Sequence, residues 1–349
     1  MAILERFPLG APPWRTLDPF LFCVHHLDAY PSGDGNFRPN TTLAGRTIGQ
    51  DFSGKDGWSM YHGRQIPGFP QHPHRGFETV TLARQGFIDH ADSLGAKARF
   101  GNGDVQWMTA GAGIVHSEMF PLLNTDSDNP AELFQIWLNL PAHDKLVPPY
   151  FTMMWSETLP RLHTTDPSGN DTQITVIAGS VGAQTAPPPP PNSWAARPGS
   201  ELSILTISLS PGAQWTLPPT IPGANRTLYF FAGDTLSLGG ETVTSGTGIR
   251  LQPDVPTAIH NGPEPSEVLM LQGVPIREPV ANHGPFVMNT REELVTAFSD
   301  YQRTQFGGWP WPESGPVHGP DPQRFAIHPD GREDRPTVTS GTDAETQKG

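Results

Sequence analysis

The sequence predicts an all-β protein made of two β-rich halves, each a sandwich or barrel of short strands. The 349 residues are enough for two domains of ordinary size. Charged residues make up only 16% of the chain, below the ~25% of an average domain, and 37 glycines and 40 prolines take up the difference. Short runs of alternating hydrophobicity are separated by turn residues in both halves, a pattern typical of barrels and unlike helix bundles.

Charge and cysteine content exclude several classes of function. The formal net charge of −13 disfavours direct binding to nucleic acid, because phosphate backbones require clustered lysine and arginine. Cys23 is the one cysteine, so no internal disulfide can form and secretion is not supported. The N-terminal residues lack a secretory pattern, and no apolar run reaches the ~18 residues of a membrane helix. We therefore expect a cytoplasmic protein that makes no membrane contact.

Residues 1–150 are predicted to form the first domain. Its clearest strands are expected at 77–83, 105–108 and 132–140. Residues 31–68 show no periodicity and should form a long surface excursion, with a flap as one form of it. His25, His26 and Asp28 end an earlier apolar run. We interpret them as the polar end of a strand, with a place at the mouth of a pocket as the alternative.

Residues 151–310 are predicted to form the second domain, followed by an extended tail at 311–349. Its strands are expected at 172–178, 202–209, 227–232, 235–238, 249–252 and 267–273. The five prolines at 187–191 favour polyproline II and are expected to form a protruding loop. A helix is predicted at 290–302, because Thr290 and Glu293 have the spacing of a capping box.

Two pairs of metal-binding residues stand out in the first half. His72 and His74 are two residues apart, as are His116 and Glu118. Residues i and i+2 of a strand share a face, so each pair would present two ligands side by side. Three imidazoles and a carboxylate suit a divalent transition metal, and their shared context disfavours four unrelated surface groups. Glu78 has the same parity as His74, so parity alone leaves open whether Glu78 or Glu118 is the carboxylate ligand.

Longer motifs resemble the pirin family of the cupin superfamily. They are DPFL (18–21), HPHRGFETVT (72–81), GDVQWMTAGAGIVHSEM (103–119) and EPVANHGPFVMNTREEL (278–294). The resemblance spans residues 17 to 308 and implies a bicupin, with two tandem double-stranded β-helix (jelly-roll) barrels and a short C-terminal helix. It also implies one mononuclear metal, typically Fe(II), in the first barrel. By the family pattern Glu118 joins the three histidines as a ligand, and Glu78 supports the ligands from behind.

The second half carries no comparable set of ligands. The family's ligand strand would fall at PGAQWTLP, which holds Trp215 and Leu217, and His260 stands alone. We therefore expect no metal in the second barrel.

The resemblance implies two functions. One is a quercetin 2,3-dioxygenase that uses O2 to open a flavonol, with Glu118 accepting the flavonol proton. The other is a redox-sensing regulator that binds a transcription factor or a metabolic enzyme, and a metal-binding barrel without catalysis is a third reading. An open pocket of substrate size would favour the enzyme, and a blocked pocket beside an apolar patch would favour the regulator.

Two departures from the family lie near the expected pocket entrance. The stretch 31–64 is longer than the usual connection in pirins, and Cys23-Val24-His25-His26 stands where pirins often carry acidic residues. The resemblance therefore does not specify the substrate.

Overall fold

The computed structural model describes residues 2–337, and its first part is built from strands. They are β1 (Ile3–Pro8), β2 (Phe20–Tyr30), β3 (Gly68–His74), β4 (Phe77–Gln85), β5 (Phe87–Asp92), β6 (Lys97–Gly101), β7 (Asp104–Thr109), β8 (Ile114–Met119), β9 (Asn129–Asn139) and β10 (Tyr150–Met154). Short 3-10 turns lie at Lys55–Gly57 and Ala142–Asp144. The strands predicted at 77–83, 105–108 and 132–140 correspond to β4, β7 and β9.

The second part continues the pattern and adds a helix. The strands are β11 (Arg161–Thr165), β12 (Asp171–Ala178), β13 (Ser180–Val181), β14 (Gln184–Thr185), β15 (Ser203–Leu209), β16 (Gln214–Leu217), β17 (Asn225–Ala232), β18 (Thr235–Leu238), β19 (Glu241–Thr244), β20 (Thr247–Leu251), β21 (Thr257–Asn261), β22 (Ser266–Gly273), β23 (Ala281–His283), β24 (Phe286–Met288), β25 (Phe325–Ile327) and β26 (Glu333–Asp334). The helix α1 spans Arg291–Thr304, and 3-10 turns lie at Trp194–Ala196 and Gln305–Gly307.

Each half folds into two facing antiparallel sheets, as the alternating pattern predicted. In the first half the sheets have the orders β10-β7-β4-β9-β2 and β26-β25-β6-β5-β8-β3. In the second half they have the orders β1-β20-β17-β22-β15-β12-β11 and β16-β21-β18-β19. A separate apolar cluster fills each half, so each barrel has its own core. The predicted fold class, all-β with two barrels and a C-terminal helix, is confirmed.

The two ends of the chain cross between the halves. Strand β1 pairs with β20, so residues 3–8 complete a sheet of the second half although the sequence assigned them to the first. Strand β25 pairs with β6, so residues 325–327 extend a sheet of the first half. The tail expected at 311–349 thus packs on the first barrel as far as residue 337, and its remainder lies outside the described residues. The division near residue 150 stays a prediction.

A third apolar cluster lies between the two halves. It joins side chains of β4 and β9 to side chains of β15, β17 and β22. The segment after the five prolines also packs here, while the protruding loop expected at the prolines themselves stays a prediction. Ser193 is fully buried, and its hydroxyl donates a 2.6 Å hydrogen bond to Glu78 in the first half.

The helix begins as its sequence predicts. The Thr290 hydroxyl accepts a hydrogen bond from the N–H of Glu293, and the Glu293 carboxylate accepts one from the N–H of Thr290. Leu294 and Ala297 are buried against β24 and Phe306. Within residues 2–337, no helix combines the length and the hydropathy that crossing a membrane requires.

Candidate metal centre and cavity

Three histidines converge between β3 and β8 of the first barrel. His72 and His74 lie two apart on β3, and the register of the two strands pairs His72 with His116. All three rings offer ligand atoms within 4.8 Å of one another. The structure therefore brings together the three histidines that the sequence singled out.

Hydrogen bonds to carbonyl groups fix the orientation of two of these rings. His72 Nδ1 lies 2.9 Å from the Pro70 carbonyl, and His74 Nδ1 lies 3.4 Å from that of Pro285. A carbonyl only accepts, so Nδ1 carries the proton in each ring and Nε2 keeps its lone pair. Burial lowers the pKa of His72 to about 4 and that of His74 well below its usual value, so both rings are neutral. Neutral imidazoles with a bare Nε2 are suited to bind a metal.

His116 gives the strongest indication of a bound ion. It is fully buried, and burial lowers its pKa well below the ordinary value. Neither of its ring nitrogens has a hydrogen-bond partner within the described part of the chain. An unpaired buried polar group costs ~1–3 kcal/mol, and a metal ion beside His72 and His74 would remove that cost. The donor set thus fits a divalent transition metal.

Glu118 lies two residues beyond His116 and lines the same cavity as His72 and His74. The Thr81 hydroxyl lies 3.1 Å from Glu118 Oε1, and the Gln135 side-chain nitrogen lies 3.5 Å from Oε2. Burial raises the pKa of Glu118, while His90 and the Thr81 hydroxyl lower it in part. The carboxylate is not among the groups that lie within 4.8 Å of one another, so its role as a ligand stays a prediction.

A cavity of about 660 Å³ is lined in part by His72, His74 and Glu118. Its walls are mostly apolar and include the aromatic side chains of Phe69, Phe120 and Trp137. The excursion at 31–68 covers it as a flap and contributes Phe52 and Tyr61, among others. Pockets for small molecules are mostly apolar and occupy ~300–1,000 Å³, so this cavity has the size and character of a substrate site.

His25, His26 and Asp28 also line this cavity. These residues are therefore part of the pocket wall, which agrees with the alternative that placed them at the pocket, and β2 continues past them to Tyr30. Strand β2 is an edge strand of its sheet and pairs with β9.

Sequence reasoning missed a fourth histidine near the ligands. His90 is fully buried on β5, its ring centroid lies 5.5 Å from that of His116, and its Nε2 lies 3.2 Å from Asp92 Oδ2. Strand β5 pairs with β8, opposing His90 to Glu118 and Asp92 to His116. The His-x-Asp spacing within a strand was the signal available for this pair.

Comparison with known proteins identifies the family. The family model for pirin matches residues 38–138, and the model for the pirin C-terminal cupin domain matches residues 204–307. A Pseudomonas aeruginosa protein, provisionally named as a quercetin 2,3-dioxygenase, is 34% identical over 282 residues, which are 78% of this chain and 93% of that protein. The chain belongs to the pirin family. Human pirin is 34% identical over 260 residues, 71% of this pirin chain and 80% of the human protein.

A solved structure shows that most of the chain has the same fold. A crystal structure of quercetin 2,3-dioxygenase from Acinetobacter baumannii superposes with a TM-score of 0.68 at 26% identity. The match covers 88% of this pirin and 99% of that chain. Both barrels are therefore pirin cupin domains.

In the second barrel of this pirin, strand β16 corresponds to the segment PGAQWTLP. It carries Trp215 and Leu217, and Gln214 pairs with His260 on β21. His260 is exposed. The absence of a metal from this barrel stays a prediction.

Glu78 lies away from the three histidines, which corrects the supporting role expected for it. Strand β3 ends at His74, and Gly76 turns the chain at a φ of 83°, so the parity of His74 does not carry into β4. Glu78 instead faces the cluster between the two barrels, on the same face as Val80 and Leu82. Its carboxylate accepts hydrogen bonds from Thr109 Oγ1 at 2.7 Å and Ser193 Oγ at 2.6 Å.

This position makes Glu78 a source of pH-dependent stability. Burial raises its pKa to about 7, against ~4.3 for an unfolded glutamate. Protonated Glu78 contributes its full stabilisation of the fold below the pKa of the unfolded state, and this contribution is lost as pH rises through 7. The free energy of unfolding should therefore fall by about 2–3 kcal/mol between pH 5 and pH 8. Glu78→Gln stays neutral at every pH, so its unfolding free energy should rise relative to wild type by that amount over this range. Urea unfolding at each pH measures the difference.

The control for this experiment is Glu241→Gln, which changes a half-exposed glutamate on β19. Its difference from wild type should stay constant with pH. A constant difference for Glu78→Gln would contradict the assignment.

Proposed function

We propose that this pirin is a metal-dependent dioxygenase that uses O2 to cleave a planar hydroxylated aromatic substrate of the flavonol class. The observation that carries the proposal is the largely apolar cavity of about 660 Å³ that reaches His72, His74 and Glu118. An open cavity of this size favours an enzyme over a regulator that only presents a surface. The similarity to proteins named as quercetin 2,3-dioxygenases supports the same class of reaction.

The proposed ligands are His72, His74, His116 and Glu118, which would hold one divalent metal, Fe(II) by preference. When bound, the metal would act as Lewis acid and template for the substrate oxygens and supply the redox chemistry with O2. The aromatic walls would hold the planar ring system of the substrate and exclude water from it. Phe52 and Tyr61 of the flap would lie against the bound rings.

Glu118 is proposed to accept the substrate's hydroxyl proton. Its carboxylate lines the cavity, and the Thr81 hydroxyl and the Gln135 amide hold its two oxygens. Burial raises its pKa, which makes it a better base than an exposed glutamate. The proton would leave the substrate hydroxyl and bind one carboxylate oxygen.

The test is to load the protein with Fe(II) without oxygen and then measure oxygen uptake with a panel of flavonols. We expect uptake in proportion to flavonol consumed, and none with metal-free protein. If no flavonol raises uptake above the metal-free rate, the dioxygenase proposal is wrong.

Glu118→Gln should weaken metal binding more than ~10-fold and lower oxygen uptake ~100-fold or more, because an amide is a poorer ligand and cannot act as a base. Glu78→Gln is the matched control, since its carboxylate faces the other barrel, and both values should stay within ~2-fold of wild type. Metal affinity is measured by competition with a chromophoric chelator, and oxygen uptake under the same conditions. If Glu78→Gln loses metal and Glu118→Gln keeps it, the carboxylate assignment is reversed.

A further inference from the structure

A chain of hydrogen bonds links the flap to strand β2 inside the cavity wall. Tyr61 of the flap donates from its hydroxyl to Asp28 Oδ2 at 2.7 Å. His26 Nδ1 lies 2.8 Å from the same hydroxyl oxygen. His26 and Asp28 are two apart on β2 and share a face, so Tyr61 bridges them from above.

The direction of these hydrogen bonds fixes which nitrogen of His26 carries its proton. Burial raises the pKa of Asp28 to about 6, so the carboxylate is ionised at pH 7.5 and accepts from the Tyr61 hydroxyl and from the N–H of Ser59. The Tyr61 oxygen has then donated its only proton and can only accept, so His26 Nδ1 must donate to it. Burial, with His25 nearby, lowers the pKa of His26 to about 4. The ring is therefore neutral and its Nε2 is a bare acceptor.

The flap holds this arrangement in one position. Tyr61 is buried, its ring stacks on Phe69 with centroids 5.0 Å apart, and its backbone exchanges two hydrogen bonds with Asp51. Asp51 in turn accepts from the buried guanidinium of Arg46 at 2.9 Å. Tyr61, which fixes the bare Nε2 of His26 as an acceptor, is therefore held in place by the other contacts of the flap.

We propose that His26 Nε2 selects substrates that carry a hydroxyl besides the one held at the metal. This assignment rests on the proposed function of the same cavity. Within residues 2–337 no group hydrogen-bonds Nε2, and the ring lines a largely apolar cavity. A ligand that offers a hydroxyl there satisfies the acceptor, and a ligand without one leaves it unpaired in an apolar wall. Sites built to bind a hydroxyl reject analogues that lack it, because the protein's own polar group is left without a partner.

Two ligands and two variants test the selection. Quercetin carries hydroxyls on both ends of its ring system, whereas 3-hydroxyflavone keeps only the hydroxyl beside the carbonyl group. Anaerobic dissociation constants are measured by quenching of tryptophan fluorescence in metal-loaded protein. We expect the preference for quercetin over 3-hydroxyflavone to fall at least ~10-fold in His26→Phe, with 3-hydroxyflavone binding unchanged within ~3-fold. His163→Phe, at an exposed position on β11, should keep the wild-type preference.

A second readout reports the proton on His26 directly. Nitrogen-15 NMR of histidine-labelled protein loaded with diamagnetic Zn²⁺ should show His26 protonated at Nδ1 at pH 7.5. In Tyr61→Phe the population should shift towards the form protonated at Nε2, because the acceptor for Nδ1 is gone. A wild-type ring protonated at Nε2 overturns the proposal.

The outcomes separate this proposal from the dioxygenase proposal. If wild type takes up oxygen with flavonols but His26→Phe keeps the wild-type preference for quercetin, the selection proposal is wrong and the dioxygenase proposal is supported. If wild type binds flavonols without consuming oxygen, and His26→Phe loses the preference for quercetin, the selection proposal is supported and the dioxygenase proposal is wrong. If wild type binds neither flavonol, both proposals are wrong.

Discussion

His116→Ala should abolish metal binding and leave the protein folded. His116 is a proposed ligand, with its ring centroid 4.4 Å from that of His72 and 4.9 Å from that of His74. Loss of a group that merely supports a ligand costs ~10–100-fold in affinity, so loss of a ligand itself should cost more than ~100-fold. Metal analysis of protein purified without chelator should give one metal per chain for wild type and close to none for the variant.

The fold should survive because the change removes buried nitrogens that are unpaired without metal as well as the packing of the imidazole ring. Alanine leaves a cavity in the core, but it also removes two buried nitrogens that lack hydrogen-bond partners without metal. We expect the unfolding free energy of the metal-free protein to change by less than ~2 kcal/mol. If circular dichroism shows that His116→Ala is unfolded, the metal is instead structural.

The control is His260→Ala, which changes an exposed histidine of the second barrel. It should keep one metal per chain. A wild-type value near two would contradict a single site.

Local patterns were sufficient to predict strands β4, β7 and β9 and to single out the three histidines that converge between β3 and β8. The shared face of His72 and His74 follows from parity within β3, where alternation depends on neighbouring residues only. The capping box of α1 is likewise contained within four residues. Each of these features needs no knowledge of the rest of the fold.

Predictions failed where an element depends on a distant part of the chain. Parity from His74 to Glu78 was lost at the single turn of Gly76. His25 and His26 resemble a polar strand end, and only the flap above them makes them part of a cavity wall. Strands β1 and β25 join sheets built by residues more than 200 positions away, and no local pattern encodes that pairing.

Breaking the buried ion pair between Arg99 and Asp89 should destabilise the first barrel by about 3–5 kcal/mol. Arg99 Nε lies 2.7 Å from Asp89 Oδ1 and Nη2 lies 2.6 Å from Oδ2, and both side chains are fully buried. In Asp89→Asn the guanidinium keeps its charge in the core and loses the carboxylate that balances it. Urea unfolding at pH 7.5 measures the cost.

The same pair fastens the C-terminal extension to the first barrel, which gives a second readout. Arg99 Nη1 donates to the carbonyls of Gly319 and Asp321, and Asp89 Oδ2 accepts from the N–H of His318. Asp89→Asn weakens the acceptor for the His318 N–H and leaves Arg99 without its charge partner, so β25 should separate more readily from the edge of β6. Limited proteolysis should therefore cut Asp89→Asn faster near residues 318–327.

Two further variants decide whether the uncompensated charge is the cause. Arg6→Met breaks an exposed ion pair with Glu241 and should cost less than ~1 kcal/mol. The double variant Asp89→Leu with Arg99→Met removes both buried charges, so it should regain part of the stability lost in Asp89→Asn while its extension stays sensitive to protease. If the double variant is less stable than Asp89→Asn, the lost stability comes from the contacts to the extension, and the buried charge is not what destabilises the single variant.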